Sequence, residues 1–253
     1  MSTDTYVPFC GIPPTPDALW SRWLFDPALL AVLALLLLPV MTARQYQKAG
    51  LAGWALVAVL FISPLCALSM SLFSARVAQH LLMTLVAAPL LARILPAVGH
   101  GPVPAAVIFA ALFWFWHAPD PYAATLASDW AYWAMHLSLL GGAGVFWSET
   151  VRAVAIRPFA AFLGVALTAG QMTGLATLYV FAARPWHAWH GLTTEPWGLT
   201  ALADQALAGA LMWLAGALLT AIAIWWLVAG FFRSHDTDVS SVTSVKGLTD
   251  GRT

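Results

Sequence analysis

Apolar residues in this chain fall in long unbroken runs, with polar residues confined to short clusters between them. About 20 consecutive apolar residues cross a bilayer as a helix, and the runs predict seven such helices. They cover roughly 27–43, a stretch within the charge-free 49–75, then 76–93, 104–117, 130–148, 159–183 and 204–232. The third is short: the residues between Arg76 and Arg93 make about 24 Å of helix, so the flanking side chains must snorkel. A re-entrant pair at the third and fourth is the alternative there. The runs lack period-two alternation, which excludes a transmembrane barrel. Pro64 and Pro89 fall inside runs and predict kinks. The expected fold class is therefore all-α, a polytopic transmembrane bundle of about seven helices. An outward-facing N-terminal segment would occupy 1–24 and the transmembrane domain 25–232. The tail, 233–253, is rich in Ser, Thr, Asp and Gly and predicts a disordered cytoplasmic segment.

Composition narrows the class further. Of 253 residues 61% are hydrophobic and 9% charged, against about 25% charged in soluble domains. A net charge of zero with no basic block excludes a nucleic-acid binder. Residues 1–20 hold neither a basic n-region nor an apolar h-region, so the first helix is expected to act as an uncleaved anchor. Lys and Arg set orientation. Arg44, Lys48, Arg93, Arg152, Arg157 and Arg233 fall on one side, with Lys246 and Arg252 in the tail, against Arg22, Arg76 and Arg184 on the other. The majority side should be cytoplasmic, placing the N-terminus outside. Trp20, Trp23, Trp130, Trp133, Trp186, Trp189 and Trp197 would form the outer aromatic belt, and Trp54, Trp147, Trp225 and Trp226 the inner one.

Chemistry enters through the histidines. His80, His117 and His136 lie on three different predicted helices at similar depth, near the outer side. Ionisable groups inside a membrane are costly and need a partner or a metal. Soft atoms share that level: Met83 lies one turn from His80, with Cys66, Met70, Met135 and Met172 on other helices. Imidazole, thioether and thiolate together suit Cu(I). His80, His117 and His136 are the candidate copper ligands, and Met83 and Cys66 are weaker ones. Methionine is also ordinary packing material. His187 and His190 flank Trp189 in a predicted exposed loop and read as interfacial residues. Asp204 can cap the seventh helix or, with Gln79, orient a metal-bound histidine. Two cysteines, Cys10 and Cys66, form neither a disulfide framework nor a CxxC or four-cysteine zinc motif. Gly170-x-x-x-Gly174, Gly141, Gly142, Gly144, Gly209 and Gly216 predict close helix contacts. No catalytic triad, Walker loop or dinucleotide fingerprint is present, so an enzyme is not expected.

Four short motifs resemble one family. Gln79-His80-Leu81-Leu82, followed by Ala88-Pro89-Leu90-Leu91, resembles the QH-L-L and A-P-L-L signature of the CtaG-type cytochrome c oxidase assembly proteins. Trp116-His117-Ala118-Pro119 with Tyr122, then His136 with Phe146-Trp147, then Asp204-Gln205 through Gly209 to Met212-Trp213, are similar to that family's other motifs, in order. At Arg76 the pattern departs, because many members carry a histidine four residues before the QH histidine. The resemblance implies a multi-pass protein of the bacterial inner membrane that helps to build haem-copper oxidases, with copper as cargo for the catalytic subunit. Oxidase subunits, the lipid bilayer and a periplasmic copper donor are the implied partners. Three other readings stay open: a membrane haem protein with two histidine ligands, a metal-free scaffold for inserting oxidase subunits, and, least favoured, a transporter.

Overall fold

A computed structural model describes residues 6–95 and 98–250, and every regular element among them is helical. Nine helices follow in order: α1 (Pro27–Thr42), α2 (Gln47–Ile62), α3 (Leu65–Ser71), α4 (Phe73–Leu91), α5 (Pro102–His117), α6 (Pro119–Ala127), α7 (Asp129–Ile156), α8 (Pro158–Val180) and α9 (Ala201–Asp250).

Local chemistry sets these boundaries. Asp26 accepts the Leu29 amide at 2.9 Å, and Pro27 opens α1 where a missing N–H costs nothing. The second apolar run, predicted as one helix, is two. Ser63 takes the extended backbone that a residue before proline prefers, and the chain turns at Pro64 into the short α3. Pro158 and Pro102 open α8 and α5. Pro89 does not break α4, because the helix widens into a π-turn over Met83–Ala87. The proline has no amide for the Thr84 carbonyl five residues back. The Trp147 indole donates to that oxygen instead, at 2.8 Å.

Three helices, α4, α8 and the 201–229 part of α9, are each long and apolar enough to cross a membrane. The pairs α1–α2 and α5–α6 qualify only as bent spans, turning by 103° and 69°. All seven predicted runs thus contain helix, while three to five pass as spans by length and composition. The continuation of α9 to Asp250 differs from the disordered tail expected there. A helix already nucleated in the membrane extends at one hydrogen bond per residue, and 230–250 contains no proline. Arg252, one of the charges counted for orientation, lies outside the described residues.

Helix α9 packs along α8 and against α4, and α5 lies between α7 and α8. The segment before α1 folds as a strap over one end of the bundle. Tyr6 donates to Asp129 at 2.5 Å, Phe9 stacks on Tyr132, and the Pro14 carbonyl accepts from Ser71 Oγ and Trp197 Nε1. At the far end Glu149 accepts three backbone amides, from Val98, Gly99 and Gly101. Trp20, Trp23, Trp130 and Trp225 are exposed, as belt residues should be, but Trp147 is core.

Small residues set the α8–α9 approach. A Cβ at Gly209 would lie 2.7 Å from Val180 and 2.9 Å from the Ala176 carbonyl, whereas one at Gly170 meets nothing within 4 Å. Gly209→Val should therefore destabilise the detergent-solubilised protein by about 1–3 kcal/mol through overpacking, and Gly170→Ala should be neutral or slightly stabilising. Thermal unfolding of both variants checks this.

Candidate functional site

Three helices bring His80, His117 and His136 together just below the strap. His80 lies on α4, His117 ends α5, and His136 is two turns into α7; each is 2% exposed. The His80 ring centre is 5.1 Å from that of His136 and 5.8 Å from that of His117. Two imidazoles that share one ion through nitrogens at about 2 Å have ring centres roughly 5–6 Å apart.

Backbone carbonyls fix two tautomers. His117 Nδ1 donates to the Phe113 carbonyl at 2.7 Å, and His136 Nδ1 donates to the Tyr132 carbonyl at 2.9 Å. A carbonyl only accepts, so the proton sits on Nδ1 and Nε2 carries the lone pair in both rings. That is the state in which a histidine ligates a metal, with its other nitrogen anchored. His136 Nε2 and both nitrogens of His80 are buried without any hydrogen-bond partner. Such orphaned groups normally cost about 1–3 kcal/mol each. No group of three or more His, Cys, Asp or Glu among the described residues is arranged to hold an ion. The cluster is thus two imidazole pairs sharing His80, and not a closed three-nitrogen site.

Sulfur lies beside one of those pairs. Met83 is fully buried and lines, with His136, Phe61 and Trp133, a cavity of about 20 Å³. Its walls are apolar, and an apolar void of that size stays dry. Cys66 departs from expectation: it is bonded to Cys10 in a disulfide, Cα–Cα 5.3 Å, so it offers no thiolate. Met70 is also taken, because its sulfur accepts from Arg76 Nη2 at 3.1 Å.

Asp204 and Gln79 touch none of the three imidazoles. From α9, Asp204 accepts the Phe73 amide at 2.6 Å, the Ser74 amide at 3.2 Å and the Ser74 hydroxyl. It therefore caps α4, the helix of His80, while Thr200 caps α9 itself. Gln79 donates to the Leu60 carbonyl at 2.8 Å and ties α4 to α2.

A second polar layer lies toward the strap. His187 and His190, expected in an exposed loop, are 4% and 2% exposed. His190 Nδ1 donates to the Ser71 carbonyl, so its Nε2 accepts from the Tyr122 hydroxyl at 2.6 Å. Tyr179 gives its proton to the His117 carbonyl at 2.9 Å and sits 3.4 Å from His187 Nε2. Arg76 is not a loop charge: it is 1% exposed, donates to Thr125 Oγ1 and lies 5.2 Å over the Tyr122 ring. Burial holds His187 and His190 down at about 3, with the neighbouring imidazoles and Arg76 adding to it at His187, and Arg76 at His190. The His-x-x-His spacing of 187–190 in a loop rich in tryptophan was the available signal for this layer. Nothing in the sequence marked Arg76 as buried.

A helical membrane bundle with three imidazoles buried together on three helices, two of them carrying partnerless nitrogens, is the class that fold and site define. The family model described as cytochrome c oxidase caa3 assembly factor (Caa3_CtaG) matches residues 93–234, more than half of the chain. The chain belongs to that family. The matched range holds His117, His136, His187, His190 and Asp204 and begins after His80. No curated protein and no solved structure matches the chain.

Asp204→Ala should cost about 2–3 kcal/mol, because two buried amides and a hydroxyl lose their acceptor, and Asp204→Asn should cost less; chemical denaturation of the purified protein measures both. Unfolded, His187 and His190 titrate near 6.5. Between that value and about 3 the unfolded chain binds more protons than the fold. Stability should therefore fall as pH drops through that window. Melting temperatures at pH 7.5 and 5 should show this, and His190→Gln should reduce the slope.

Proposed function

We propose that this oxidase assembly factor carries Cu(I), held between His80 and His136 with His117 and Met83 adjoining, for insertion into the oxidase catalytic subunit. The observation that carries this reading is the set of three partnerless nitrogens on two imidazoles whose ring centres lie 5.1 Å apart. Copper(I) offers what those nitrogens lack, a soft acid for neutral imidazole and thioether. Bound there, it would convert an unsatisfied polar cluster into a coordinated one. Depth also favours it: a donor site below the strap would meet a buried oxidase centre at matching depth, and ligand exchange would move the ion with no change of valence.

The protein's place follows from the same reasoning. It is a multi-pass protein of the bacterial inner membrane, with the strap end outward, the C-terminus in the cytoplasm and copper arriving from a periplasmic donor. The Lys and Arg distribution supports this orientation, the more so once Arg76 is removed from the loop count. The Cys10–Cys66 disulfide at the strap end suits an oxidising compartment. The protein acts on its partner by transfer and not by catalysis. A bis-histidine haem is disfavoured by space: the cavity beside His136 is about 20 Å³, whereas cofactor sites run to several hundred.

Anaerobic loading with Cu(I), removal of excess by a competing chelator and metal counting test the proposal. The native protein should retain copper, and the His80→Ala/His117→Ala/His136→Ala variant should lose it while keeping its helical circular dichroism. A folded native protein that retains none would overturn copper carriage and leave a metal-free scaffold.

A further inference from the structure

Cys10 and Cys66 are the only cysteines in the chain, and they join the strap to α3 across 56 residues. Their surroundings connect them to the histidine cluster through one residue. Both sulfurs contact the Tyr132 hydroxyl, at 3.2 Å from Cys10 and 3.6 Å from Cys66. The backbone carbonyl of the same tyrosine accepts the His136 Nδ1 proton, and its ring centre is 4.2 Å from the His136 ring. A second line of rings runs parallel: Phe9 of the strap on Trp133, Trp133 on Phe61, and Phe61 on His136. The disulfide is the covalent tie that holds this lid down, and it is buried, with Cys10 6% and Cys66 1% exposed. Elsewhere the strap is held by hydrogen bonds and ring stacking.

We propose that Cys10 and Cys66 are a redox-gated Cu(I) acceptor site: reduced, the two thiols bind the ion as a bis-thiolate above Tyr132 and feed the histidine cluster; oxidised, they seal the lid. The feeding step rests on the copper reading of the histidines, whereas the binding step does not. The chemistry balances with a dithiol as reductant. Attack of one donor thiolate at Cys10, the less buried cysteine, breaks the Cys10–Cys66 bond, and the second donor thiol resolves the mixed disulfide. The products are two thiols here and one disulfide in the donor. Binding of Cu(I) then releases the two thiol protons and leaves the metal's valence unchanged. Two thiolates are the softest ligand set this chain can present. The 5.3 Å Cα separation leaves both sulfurs within reach of one ion once the bond opens. Cys66 is fixed on a helix, while Cys10 sits on the strap outside any helix. Transfer inward passes along Tyr132 to His136, the nearest imidazole by these contacts.

The test uses full-length protein in detergent, oxidised or pre-reduced with dithiothreitol and freed of it, then loaded with Cu(I) against a chelator. Copper is counted, and X-ray absorption reports its ligands. Reduction should add one copper with a sulfur-only shell, and the same gain should appear in the His80→Ala/His117→Ala/His136→Ala variant. The Cys10→Ser/Cys66→Ser variant should show no gain on reduction. Equal copper content and an unchanged nitrogen-rich shell in oxidised and reduced native protein would overturn the proposal while leaving histidine carriage intact. Gain on reduction with no copper in the oxidised form would do the reverse. If serine substitution unfolds the chain, iodoacetamide-blocked reduced protein replaces it, and copper uptake after blocking above that of the oxidised protein would count against the cysteines.

Discussion

Asp204 reaches out of the last helix and takes the amides of Phe73 and Ser74 with the Ser74 hydroxyl. In an apolar bundle no water competes for those groups, so a backbone end must be closed by protein. The carboxylate also meets the positive end of α4. Arg76 stands in that first turn and His80 one turn further on. The depth and rotation of the central imidazole therefore depend on a contact made by a residue 124 positions later in the chain. Gln79, on the same helix, donates to the Leu60 carbonyl and adds a second tie.

Around that fixed helix, polarity is arranged in two layers. The layer beneath the strap is the more hydrogen-bonded of the two: Arg76 bonds Thr125 and Met70, Tyr122 bonds His190 and Tyr179 bonds the His117 carbonyl, while Arg76 Nε and His187 Nδ1 are unpartnered. The layer below it is incomplete, with His117 and His136 anchored at Nδ1 and the nitrogens of His80 unmet. A satisfied network tends to rigidify, while an unpaired polar group in a low-dielectric interior is costly. The upper layer lies between the strap and the imidazole cluster, and Tyr132 links the Cys10 and Cys66 sulfurs to His136.

Cys66 and Arg76 depart from their sequence expectations for a common reason. Depth along its run groups Cys66 with the soft ligands, and its place at the border of an apolar run marks Arg76 as a loop charge. Neither position in the chain shows what covers the residue. The strap brings Cys10 to Cys66, and α6 brings Thr125 and Tyr122 to Arg76. Likewise His187 and His190 belong to a loop that folds inward, where burial rather than sequence position sets their state.

Hydrophobic run length by itself determined that this chain is a helical membrane bundle, and each of its seven runs holds helix, because a backbone in lipid has so few ways to satisfy its own hydrogen bonds; it left out α6 and did not divide α2 from α3. Histidine placement alone pointed to His80, His117 and His136, since uncompensated polar groups in apolar runs demand a reason. Tertiary structure alone decided which imidazoles share a partnerless pair, that Asp204 serves α4 and not its own helix, and that the cysteines are joined. Those are contacts between segments far apart in the chain, and helical periodicity carries no information about which faces meet.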